Sequence, residues 1–404
     1  MRQQRAYASL LFIIYGNMAL YGFVQTLRGI IYPLIKTDYD ASYSRQGLLV
    51  LLVQIIMAFS CVISGIFLNR AGFKKSILLG FGIVLAGMAF FRFSAAYWTA
   101  AGFIILIQLG LGFFEISLNG IGIKTFTRNS ALMMNLLHFF YGAGAVIGPW
   151  FGGLVANTSS LGWRGIYFAG LVPVLVMALA TFILAPGEKK TAAGRAAEKS
   201  ASGEEAAPVP SSGGTGYSFR WAITNPLVWR FGICLGFTTV IECGATNWSG
   251  LYLLDVFGID PKTGGAAFIS IYFLLFTVSR LLNGFLIEKA GYLRSVFFGI
   301  LATVLILTAG FLLGRHGVRI LPVTGLFVGI AFPTILAMSI GVFGKGAQAA
   351  GSAIIVIAFS LNGVIQFLIG LTNRFIGAAW GYRSCVLYGV ILLALLLRLR
   401  KNPK

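Results

Sequence analysis

Charge is scarce in this chain. Asp, Glu, Lys and Arg make up 10% of its 404 residues, and only 11 of those are acidic. A soluble domain carries about a quarter charged residues, so a water-exposed globular fold is excluded, and 58% hydrophobic residues exclude a disordered chain. Histidine occurs twice and cysteine four times. Cys61, Cys234, Cys243 and Cys385 lie singly in apolar stretches, with no CxxC. They read as small core hydrophobes, and no disulfide or metal site is expected. HExxH, GxSxG with partner His and Asp, and clustered metal ligands are missing, so the chain is not expected to be an enzyme or to hold a cofactor. A GxxxxGK[ST] loop is missing too, which leaves nothing to drive an ATP pump.

What is present is apolar sequence in long runs, with mean hydropathy +0.87. Runs cover about 8–27, 47–69, 76–95, 99–123, 131–156 and 164–185, then 227–254, 265–287, 295–314, 319–343, 350–376 and 382–399. Each is long enough as a helix to cross a hydrocarbon layer of about 30 Å. The expectation is an all-α polytopic membrane protein with 12 transmembrane helices. Residues 1–6 followed by apolar sequence mimic a signal peptide, but no small-residue cleavage site precedes Gln25 and Arg28, so this stretch is read as the first span.

The net charge of +20 would suggest nucleic acid in a soluble protein. Topology accounts for it better. With both termini cytoplasmic, about 20 of the 31 Lys and Arg fall on the inside, about ten on the outside, and one, Arg280, within a span. That bias is the positive-inside rule, and it predicts a cell (inner) membrane protein with both ends in the cytoplasm.

Nine of the acidic residues sit in loops or at helix ends; Glu115 and Glu242 fall well within spans. A carboxylate at mid-membrane costs about 2.5–3.5 kcal/mol even on gentle insertion scales, and such groups mark substrate or proton pathways unless paired in a structural core. Around Glu115, the residues Gln108, Gly112, Asn119 and Gly122 recur at steps of three or four, making one polar and small-residue stripe. Thr238, Glu242, Thr246 and Ser249 do the same in the seventh span, with Asn247 and Trp248 beside them.

Three more spans carry such stripes. The first has Asn17, Tyr21, Gln25 and Arg28, ending in a cation expected near the outer surface that either snorkels or faces substrate. The fifth, NLLHFFYGAGAVIGPWFGG, sets Asn135, His138, Tyr141 and Gly142 before a glycine run suited to close helix packing. His138 is either a satisfied core histidine or a ligand or proton contact. The eleventh has Phe359, Asn362, Gln366 and Asn373. Singly, such amides are interhelical glue; five striped helices together predict a wet cavity. Pro333 should break the tenth span near residue 330.

Residues 186–226 change character: GEKKTAAGRAAEKSASGEEAAPVPSSGGTG reads as a flexible cytoplasmic linker. It divides the chain into bundles of six helices each, 1–185 and 227–404. GIFLNRAGFKK at 65–75 and GFLIEKAGYLR at 284–294 then match across 219 residues, each closing the second helix of its half. Two parallel repeats with a site at their interface are a transporter architecture.

The two Gly-and-cation turns resemble the signature loop of the major facilitator superfamily, with Asn69 where that signature has Asp. LYGFVQTLRGIIYPLI, GLGFFEISLN, ECGATNW, FPTILAMSIGVFG and GSAIIVIAFSLNG are similar to stretches of its fucose:proton symporter group. The resemblance implies a twelve-helix transporter alternating between two openings, commonly carrying a sugar with a proton. It sets Glu115 and Asn119 on a protonation and substrate motif, Trp248 on an aromatic position and Pro333 with Thr334 on a PT pair. In the first span an acidic residue of relatives is replaced at Gly29, and the added Arg28 suits an acidic or phosphate-bearing substrate.

The expected function is proton-coupled uptake of a sugar or other small polar solute by a monomer among membrane lipids. Glu115 and Glu242 are the proton-coupling residues. Gln25, Arg28, Asn119, His138, Tyr141, Asn247, Trp248, Asn362 and Gln366 are the candidate substrate contacts. Asn69, Arg70, Lys74, Lys75, Glu288, Lys289 and Arg294 are the candidate cytoplasmic gate. The alternatives are an organic-anion or drug/proton antiporter, and an uncoupled facilitator.

Overall fold

The computed structural model describes residues 2–126, 130–185 and 219–401, and among these there is no strand. In chain order, α1 is Arg2–Asp38, and α2 and α3 are the two arms of one stretch, Tyr43–Phe91. α4 is Tyr97–Thr125, α5 Ser130–Thr158 and α6 Gly165–Leu184. α7 is Pro226–Asn247, continued past Trp248 by Ser249–Phe257. α8 is Ala266–Ala290, α9 Tyr292–Leu312 and α10 the pair Thr324–Val328 and Ala331–Phe343. α11 is Ala347–Phe375 and α12 is Cys385–Lys401.

Among the described residues, eleven helical stretches are long and apolar enough to cross a membrane, and one of them has 49 residues. At 1.5 Å per residue that one reaches about 74 Å, more than two hydrocarbon thicknesses. It turns at Gly72, where φ is 79° and ψ 174°, so it counts as two spans and the total is twelve. The second half repeats the device: Gly291, with φ 82° and ψ 152°, separates α8 from α9. The positions differ by 291 − 72 = 219, the offset of the sequence repeat, and only glycine takes these left-handed values without strain.

Burial sorts the helices. The most hydrophobic stretches of α1, α4 and α7 are 61% buried and those of α6 and α12 only 28%, so the former line the centre and the latter face lipid. α1 lies against α5 so closely that a Cβ on Gly144 would overlap the Ala19 carbonyl oxygen, and one on Gly22 that of Tyr141. The glycine run of α5 thus serves backbone approach, as expected of small residues in lipid, where packing replaces the hydrophobic drive. α10 breaks at Gly329 and Ile330, the place anticipated from Pro333.

Two expectations change. The first span was expected to end near residue 27, but α1 continues to Asp38 because Ile30, Ile31, Tyr32 and Ile35 are buried and keep it in the bundle. Arg28 therefore sits ten residues, about 15 Å, below the end of its helix. It is an intramembrane cation and not a surface anchor. At the far end of the linker, Phe219–Thr224 form a short helix with Ala222 buried and the Trp221 ring edge-on to Phe343 at 6.2 Å. Residues 186–218 of the proposed linker lie outside the described residues.

The halves meet along α2 with α11 and α5 with α8. Contacts concentrate on the side opposite the termini. There Tyr43 donates to Asp255, Lys36 lies 4.0 Å from Asp255, and Arg374 Nη1 donates to Ser44 Oγ at 3.2 Å. Deeper, Ser270 Oγ donates to the Val146 carbonyl at 2.8 Å, and Gln54 reaches Cys243 Sγ at 3.9 Å. On the terminal side Asn119, His138 and Tyr141 keep partial exposure and Asn135 is exposed. The molecule is closed opposite its termini and more open toward them.

Candidate functional site

Tyr141 of α5 marks the centre of the bundle. Its ring lies 5.3 Å from that of Tyr21 on α1, and its hydroxyl is within electrostatic range of Arg28, Glu242, Cys243 and Arg280. Side chains of α1, α7 and α8, from both halves, thus come within electrostatic range of Tyr141. Tyr21 in turn lies within electrostatic range of Glu115, and Asn119 Nδ2 donates to Glu115 Oε1 at 3.1 Å and to its carbonyl at 2.8 Å. The i, i+4 spacing of Glu115 and Asn119 on α4 makes that second pair.

Arg280 is the residue that sequence reasoning left out of the site. It faces Glu115, Glu242 and His138 within electrostatic range, while its guanidinium carbon lies 4.3 Å from the Phe276 ring centroid. Its Nε has no hydrogen-bond partner. Among the described residues the ion pairs within 4.0 Å are Lys36–Asp255 and Arg164–Asp38, so Arg280 forms a closed ion pair with neither carboxylate. The available signal was its position: a lone cation inside an apolar span is functional by default.

Arg28 occupies a second layer, toward the closed side. It is 6% exposed, and Nη1 donates to Gln108 Oε1 at 3.2 Å while Nε has no partner. Gln108, a member of the Glu115 stripe, is itself fixed through Nε2 to Met57 Sδ at 3.0 Å. On α1 and α7, Gln25 Oε1, Tyr32 OH, Glu242 Oε2 and both amide atoms of Asn247 are likewise buried without a hydrogen-bond partner. A buried polar group without a partner costs about 1–3 kcal/mol, so each of these atoms has bonding capacity that the protein itself does not use.

The remaining expected contacts divide. Trp248 is 1% exposed and its Nε1 donates to Gln366 Oε1 at 2.6 Å. Gln366 Nε2 donates to Asn362 Oδ1 at 3.1 Å and the Val240 carbonyl at 3.3 Å, and Asn362 reaches Cys243 Sγ at 3.6 Å. These three side chains bind α7 to α11 in the arrangement described here. Of the expected gate, Asn69, Arg70, Lys75, Lys289 and Arg294 are exposed on the terminal side, and Lys74 lies 5.3 Å from the Phe182 ring. The Glu288 side chain lies outside the described residues.

A family model described as Major Facilitator Superfamily matches residues 14–366. A comparison with curated proteins finds no match. Solved structures do match. A bacterial homologue of the human lysosomal transporter Spinster, inward-facing and unoccupied, superposes with a TM-score of 0.76 at 15% identity, over 98% of this chain and 96% of that one. The nucleoside transporter NupG gives 0.70 at 14% identity over 98% and 99%. The transporter FucP, in an outward conformation, gives 0.63 at 17% identity over 97% and 99%. With a family model spanning most of its length and twelve helices in the matching fold, the chain belongs to the major facilitator superfamily, whose members carry small molecules across membranes and are not enzymes.

Proposed function

We propose that this protein is a secondary active transporter that takes up a small polar solute, sugar-like in size and polarity, together with a proton. The observation that carries the reading is the central arrangement of Glu115, Glu242 and Arg280: one cation, two carboxylates from different halves, and no closed ion pair among the three. Burial disfavours an uncompensated charge. A proton on Glu115 therefore changes which carboxylate Arg280 attracts, and because the carboxylates belong to opposite halves, that choice biases how the halves sit. The nucleoside transporter among the structural relatives fits a polar cargo.

The open side is the cytoplasm in this reading, since it carries the termini and the exposed cations Arg70, Lys75, Lys289 and Arg294. Those residues with Lys74 and Glu288 form the cytoplasmic gate when the molecule opens outward. Asn69 supplies no charge there, so the first-half lock is the weaker one. The protein works as a monomer in the cell membrane.

Vesicle transport tests the proposal, using a ligand found by thermal-shift screening of sugars, sugar acids, nucleosides and small carboxylates. Glu115→Gln should retain counterflow at equal pH and lose accumulation driven by an imposed pH gradient. Glu242→Gln should weaken affinity more than coupling. Wild-type uptake indifferent to the gradient, with Glu115→Gln equally active, makes the protein an uncoupled facilitator.

A further inference from the structure

The central charges do not balance in place. Arg280 faces both carboxylates, whereas the ionisable groups that face Arg28 are Tyr21 and Tyr32 on its own helix, Tyr141 on α5, Tyr167 on α6 and Cys243 on α7; none is a carboxylate. Gln108 on α4 offers only a neutral acceptor. One proton shared by Glu115 and Glu242 neutralises the Arg280 group, and Arg28 is still left as a cation nine-tenths buried without a counter-charge. Such a charge is costly to keep unless an anion reaches it.

The geometry of the guanidinium says how an anion would reach it. Nη1 is committed to Gln108, and Nε is free on the other edge. The Nε–Nη2 edge is the one a carboxylate takes side-on, with two parallel hydrogen bonds. Thr246 of α7 packs against Gly29, the residue after Arg28, and the neighbouring Asn247 has an unused donor and an unused acceptor, while Gln25, one turn before Arg28, has an unused acceptor. We propose that the transported solute is a small hydroxylated monocarboxylate, its carboxylate held on the free edge of Arg28 and its hydroxyls on Gln25 and Asn247.

This deepens the transporter reading by naming the class of cargo, and it is tested separately from proton coupling. Purified full-length protein is titrated with matched pairs, a hexose against the corresponding aldonate or uronate, by thermal shift and calorimetry. The acid should stabilise the protein at millimolar concentration and the neutral sugar should not. Arg28→Gln should weaken acid binding roughly ten- to a hundredfold, the range for a charge-assisted hydrogen bond. Arg28→Lys, which keeps the charge and loses the fork, should fall between, and it serves if the glutamine variant does not fold. Equal binding of sugar and acid, acids that fail to stabilise the wild type, or either Arg28 variant binding the acid unchanged overturns the proposal. Arg28-dependent acid binding without gradient-driven uptake in vesicles leaves this inference standing and removes the proton-coupling reading.

Discussion

The closed face predicts how far one substitution should move the whole molecule. Asp255, on the extension of α7, accepts from Tyr43 at the start of α2 and lies 4.0 Å from Lys36 at the end of α1, so a single carboxylate ties two helices of the first half to the second. Lys36 also sits 4.3 Å from the Tyr43 ring centroid. Asp255→Asn keeps shape and an acceptor while removing the charge. The side chains are 17% and 26% exposed, so the ion pair is worth at most about 1 kcal/mol. Exchanging a charged for a neutral acceptor under Tyr43 loses about another 1 kcal/mol. A change of about 1–2 kcal/mol moves the ratio of molecules closed to molecules open at this face about 5- to 30-fold. Spin labels on cysteines at Phe93 and Phe375, exposed at the outer ends of opposite halves, would read this as growth of a longer distance in a background without Cys61, Cys234, Cys243 and Cys385. An unchanged distance distribution in Asp255→Asn would refute the electrostatic gate and leave packing of α2 on α11 to hold the face shut.

Two further outcomes follow from packing. Gly144→Val puts carbon where the Ala19 carbonyl lies, and forcing α1 and α5 apart should cost about 1–3 kcal/mol or more, the range for an overpacked core, read as a lowered melting temperature in detergent; an unchanged melting curve would mean the helices separate freely. Trp248→Phe removes the donor to Gln366 Oε1 and should destabilise by about 1–3 kcal/mol, with any loss of ligand affinity smaller than that from Arg28→Gln. A Trp248→Phe variant of full stability and lost affinity would restore this indole to direct ligand contact.

Much of the fold was legible because membranes restrict it. Only internally bonded helices cross lipid, so runs of apolar residues read directly as spans, and the Gly72 and Gly291 turns were visible as a repeat before their backbone angles were known. The end of α1 was not legible from the same rule. A polar Arg28 and a Pro33 look like the edge of a membrane segment, and what keeps them inside is contact with α4 and α7, which no local pattern contains.

The site was half legible for a related reason. Stripes on single helices singled out Glu115, Glu242, Gln25 and Arg28 as candidates, since a polar residue in an apolar span has to face protein or water. They could not distinguish a side chain satisfied by its neighbours from one left open. Gln366 and Asn247 looked alike in sequence, yet the first is bonded on both its amide atoms and the second on neither. The difference arises between helices. Gln366 bonds α7 to α11, while Arg28 Nε and the Asn247 amide are left without partners, the capacity that the proposed cargo site draws on. Arg280 carries the same lesson across the two halves. It lies within range of Glu115 and Glu242, 165 and 38 residues away in sequence (280 − 115 and 280 − 242), and only the meeting of the halves brings together the three charges on which the proposed switch rests.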